Sequence, residues 1–153
     1  MLKNEKGVTL TVLIITIAVM LIIAGATITT SELILRDARI KTAITGMYLA
    51  KAKASAIYSD WEFNKHLSNL PGSHISVDKL ARFGVTPEGD TKIDDFWYEW
   101  TQDDIRELGL DETLLKDGAE YFVNYVSEEI IYTPGVKDSD GNMVYTLSEM
   151  LEL

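Results

Sequence analysis

Residues 8–28 read VTLTVLIITIAVMLIIAGATI, 21 positions without a single charge. Sixteen of them are aliphatic, Met or Ala, and the others are Thr9, Thr11, Thr16, Gly25 and Thr27. At about 1.5 Å of rise per residue, a helix of this length reaches about 31 Å, the hydrocarbon thickness of a bilayer. β-Branched residues weaken a helix in water, whereas in lipid only a helix satisfies every backbone amide within one segment. The expectation is a transmembrane helix over 8–28.

Working outward, the rest of the chain has a different character. Residues 1–59 carry 7 Lys/Arg and 3 Asp/Glu, a net of +4, whereas residues 60–153 carry 7 Lys/Arg and 21 Asp/Glu, a net of −14. The overall charge of −10 and the mean hydropathy of +0.03 therefore average an apolar anchor with an acidic, water-facing head. A length of 153 residues fits one ordinary domain beyond the anchor. No cysteine is present, which excludes disulfides, thiolate metal sites and a cysteine nucleophile. So acidic a head argues against direct nucleic-acid binding, which needs a basic face.

A short tail, MLKNEKG, precedes the apolar run. The run is longer than the apolar core of a secretory signal peptide, and Ala24-Gly25-Ala26 matches a cleavage site weakly. The basic tail with Lys3 and Lys6, then Gly7-Val8-Thr9-Leu10 and the apolar helix, resembles the prepilin-type leader of type IV pilins and type II secretion pseudopilins. The resemblance covers about residues 3–30. It implies cleavage between Gly7 and Val8 by a prepilin peptidase and N-methylation of Val8. It further implies a single-pass precursor in the cell membrane, with a cytoplasmic N-terminus and an extracytoplasmic head. The implied partners are other pilin or pseudopilin subunits, the lipid bilayer and a membrane assembly machinery with a cytoplasmic ATPase. One departure stands out. The family usually carries a glutamate at the fifth mature position, which here is Val12. The resemblance therefore implies a minor or divergent subunit. The flanking charges, Lys3 and Lys6 on one side and Arg36, Arg39 and Lys41 on the other, do not by themselves decide orientation.

Helical patterning continues past the apolar run. Leu33, Ile40, Ile44, Met47, Ala54, Ile57 and Trp61 fall on one stripe at spacings of 3, 4 or 7. An unbroken helix to about Ser68 would be about 90 Å long, with Gly46 a possible bend. Leu70-Pro71-Gly72 ends it. In the head, Ser76 caps a short helix that Gly84 closes, and Asp95–Trp100 reads as a strand with Phe96, Tyr98 and Trp100 on one face. Thr101 and Asp104 form a capping box for a helix over 102–108. Tyr121–Tyr125, Glu129–Thr133 and Met143–Thr146 read as further antiparallel strands. The fold class is α+β: a long N-terminal helix, its first half membrane-embedded, packed against a small antiparallel sheet. The organisation is a leader at 1–7, a transmembrane segment at 8–28, an amphipathic continuation at 29–68 and an acidic head at 69–153.

Candidate chemistry is sparse. Asp138, Asp140 and Asn142 place oxygens at alternate positions around Gly141, a partial match to a calcium loop, but Asp-Gly and Gly-Asn are also ordinary turn chemistry, the favoured reading. The rings of Phe96, Trp97, Tyr98 and Trp100 fit either a stacking platform or, more simply, core. Asp94, Asp95, Glu99, Asp103 and Asp104 read as a solvated acidic face. His66 and His74 are the two histidines. No nucleotide loop or nucleophile elbow occurs, and the expected protein is not an enzyme. It is expected to be a structural subunit of a pilus or pseudopilus. The alternatives are a single-pass, membrane-anchored binding protein that never polymerises and a scaffold subunit of a DNA-uptake pseudopilus.

Overall fold

The computed structural model describes residues 6–64, 69–110, 114 and 118–153, and the side chains of 6–11 and 25–30 lie outside that description. One helix, α1 (Lys6–Phe63), accounts for 58 residues. The chain divides into two compact units, Met1–Ala38 and Arg39–Leu153.

In the first unit the described side chains of Val12–Ala24 are all exposed. Among the described residues no helix is long and apolar enough to cross a membrane. The transmembrane helix expected over 8–28 is therefore not met among the described residues. Both ends of that run fall outside the described side chains.

The second unit is α+β, with the elements β1 (Ser73–His74), a 3-10 helix (Val77–Phe83), α2 (Thr91–Asp94), β2 (Trp97–Trp100), α3 (Gln102–Glu107), β3 (Glu120–Asn124), β4 (Ile130–Lys137), β5 (Met143–Thr146) and α4 (Leu147–Met150). The sheet has the order β1-β2-β3-β4-β5, each strand antiparallel to its neighbour in sequence. Strand residues point alternately to opposite faces, and here both faces are covered. Tyr98, Trp100, Tyr121, Val123, Ile130 and Val144 join the cluster that includes Ala43, Met47, Ala50 and Ala54 of α1. Trp97, Phe122, Ile131 and Tyr145 face the other way and meet Val77, Leu80 and Phe83 of the 3-10 helix.

The α1 stripe differs from the expected one. Ala43, Met47, Ala50 and Ala54 are the buried positions, with Ile40, Ile44, Ile57 and Trp61 partly buried beside them and Leu33 exposed. Small residues at 43, 46, 50 and 54 leave room on α1 for side chains of the head. A Cβ on Gly46 would stand 2.8 Å from Leu114 Cδ2 and 3.0 Å from the Tyr121 hydroxyl, so Gly46 serves close packing, and α1 continues unbroken through it.

Other boundaries moved for identifiable reasons. The helix after Ser76 is 3-10 because Val77, Leu80 and Phe83, its buried residues, repeat every three positions. Ser76 makes no side-chain cap bond, while Gly84 closes the element in the left-handed region. The strand expected to begin at Asp95 begins at Trp97, after Asp95 and Phe96 close the turn of α2 through hydrogen bonds to Thr91 and Ile93 carbonyls. The capping box forms as spaced: Thr101 N donates to the Asp104 carboxylate at 2.8 Å, and Asp104 N donates to Thr101 Oγ1. Strand β4 runs on to Lys137, past the expected end at Thr133. Its register shifts between Ile131 and Val136, around Pro134, which lacks a donor for the ladder.

Candidate functional site

The most distinctive surface of the chain is Val12–Ala24 of α1. Thr16 is the sole polar side chain in this stretch, and its hydroxyl donates to the Leu13 carbonyl at 2.8 Å, so even that group is satisfied within the helix. The large residues are heavily exposed, up to 72% at Ile22, and apolar residues occupy every side of the helix. A helix apolar all round belongs in lipid or among other helices, because water charges about 25 cal/mol for each Å² of apolar surface it must solvate. Val12 itself is exposed and offers no carboxylate at the position where the resemblance would have one. Gly7 and Val8 belong to the first turns of α1, and their side chains lie outside the described residues.

The loop at 138–142 is a turn closed by its own first residue. One Asp138 oxygen accepts the backbone N–H groups of Asp140 and Asn142, both at 2.8 Å, and the other accepts the Asn142 side-chain amide at 3.1 Å. That amide, with help from the backbone donors, holds the Asp138 carboxyl below the usual carboxylate range. Asn142 thus turns a donor, and no acceptor, toward Asp138. Among the described residues no group of three or more His, Asp or Glu side chains is placed to hold a metal.

The remaining candidates are dispersed. Trp97 and Trp100 are buried on opposite faces of the sheet, with Phe96 and Tyr98 packed at the α1 side, so the rings form no single open platform. Asp94 accepts from the Glu88 and Gly89 backbones, Asp104 caps α3 and Asp103 pairs with Arg106 at 2.9 Å. These carboxylates therefore serve turns and caps. The His74 ring nitrogen lies 3.0 Å from the Asp95 carbonyl, and its ring packs edge-on against Tyr98. His66 lies outside the described residues. A shallow groove of about 280 Å³ lies between the last turns of α1 and Asn69–Pro71.

Four features escaped the sequence reading. Trp100 Nε1 donates to the Tyr125 hydroxyl at 3.0 Å and leans toward the Pro71 carbonyl at 3.3 Å, pinning the chain where it leaves α1. Burial pushes the hydroxyls of Tyr121 and Tyr125 well above the ordinary tyrosine value. Asn124 is fully buried, yet its amide donates to the Ile93 carbonyl and its side-chain oxygen accepts from Val126 and Ser127. Finally, Glu128 takes a left-handed backbone (φ 59°) beside α1, its carboxylate 3.3 Å from Lys51 Nζ. Each depends on packing or pairing across tens of residues or on a turn geometry, and none has a short motif. Set against protein families, curated proteins and solved structures, the chain matches none of them.

Proposed function

We propose that this chain is a pilin-like structural subunit, held in a membrane through the apolar run at 8–28 and assembled side by side with other subunits through α1. The observation that carries this reading is the apolar exposure of Val12–Ala24 directly after Lys6-Gly7-Val8-Thr9-Leu10. Such a surface requires apolar neighbours, and lipid tails and the helices of other subunits are equally apolar, so exchange between the two is nearly neutral. Storage and assembly can then proceed from the same surface. In this reading a prepilin peptidase removes residues 1–7, Val8 becomes the methylated N-terminus, and an assembly machinery with its cytoplasmic ATPase supplies the work. The head stays outside the membrane and the chain catalyses no reaction of its own.

Val12 favours a second reading. Without a carboxylate to meet a neighbour's N-terminal ammonium, α1 would act as a single-pass anchor for a head that binds a partner and does not polymerise. N-terminal mass analysis after co-expression with a prepilin peptidase separates the two. The subunit reading expects a mature chain beginning at Val8, with processing lost in Gly7→Ala. An intact Met1 terminus would leave the plain anchor in its place.

A further inference from the structure

We draw no further inference here: the strongest candidate, the groove between the last turns of α1 and the Asn69–Pro71 segment, lined by Lys53, Ile57, Asp60, Trp61 and Leu70, carries nothing because nothing in the structure shows what covers it.

Discussion

The Tyr125 hydroxyl donates a 2.9 Å hydrogen bond to the carbonyl of Pro71, 54 residues earlier in the chain. The same hydroxyl accepts from Trp100 Nε1, so one buried oxygen ties the segment after α1 to β2 and to the turn that follows β3. Tyr125→Phe keeps the ring and deletes only that oxygen. It leaves the Pro71 carbonyl and the indole N–H with a single long contact between them. Stability should fall by about 0.5–1.5 kcal/mol, the usual net worth of a hydrogen bond, because the remaining Trp100–Pro71 contact keeps both groups partnered. Urea unfolding of the full chain in detergent, followed by tryptophan fluorescence, measures it. An unchanged midpoint would mean that the hydroxyl contributes nothing to holding Pro71.

The buried tyrosines also predict an alkaline limit. Burial is the main reason that the Tyr121 and Tyr125 hydroxyls lose their protons later in the folded chain than in the unfolded one. The unfolded state therefore binds fewer protons once the pH passes about 10, the ordinary tyrosine value, and stability falls with rising pH from there. Below that point the contribution is fully present and flat. Tyrosinate absorbance should show Tyr121 and Tyr125 ionising later in the folded chain than in the unfolded one. Tyr121→Phe with Tyr125→Phe should flatten the alkaline slope. An alkaline slope unchanged in that double variant would refute this.

Glu128 combines a left-handed backbone with a partly exposed ion pair to Lys51. Hydrogen bonds from Ser55 and then Lys51 hold its carboxyl below the ordinary carboxylate range. A depressed carboxylate stabilises the fold above its unfolded value, and that contribution is lost as pH falls through the folded one. Glu128→Gly removes both the pair and the backbone strain. An exposed pair is worth about 0–1 kcal/mol and a non-glycine left-handed residue costs about 1–2 kcal/mol. The variant should therefore be no less stable than the parent at neutral pH, with a weaker loss of stability in acid. A clear drop at neutral pH would show that the ion pair outweighs the strain.

Ile17 lies at the middle of the exposed apolar stretch of α1. On the proposed membrane-held reading, Ile17→Asp should impair insertion by about 2.5–3.5 kcal/mol, the cost of an aspartate near a helix centre. The expected outcome is a shift of the protein from the carbonate-washed membrane pellet to the supernatant. Retention equal to that of the parent would argue that these residues are not what holds the chain there.

What was legible in the sequence was whatever is written in neighbouring positions. Thr101 and Asp104 announce a cap three residues apart and form it, and Asp138-Ser139-Asp140-Gly141 announces a turn that Asp138 closes. The strand at Met143–Thr146 reads correctly from its composition. Most of the α1 stripe was readable, since Ile40, Ile44, Met47, Ala54, Ile57 and Trp61 all pack into the head, but a reading weighted toward large side chains passes over the buried Ala43 and Ala50 and includes the exposed Leu33. The two-residue β1 is too short to leave a periodic signal. Burial of the sheet on both faces was likewise hidden, since it depends on the 3-10 helix folding back over Trp97 and Phe122.

The nearest-neighbour order of the five strands has a kinetic consequence. Every strand finds its partner in the strand just before it, so the sheet can zip up in the direction of synthesis. Docking of the Ala43–Ala54 stripe is different: it must wait for Tyr121, Val123 and Ile130 to be made and paired. Until then those alanines lack the β3 and β4 part of their cluster, and the newly formed sheet has one face incompletely covered. The time between pairing β4 and seating α1 is thus the interval in which the nascent head is most open to mispairing with another chain.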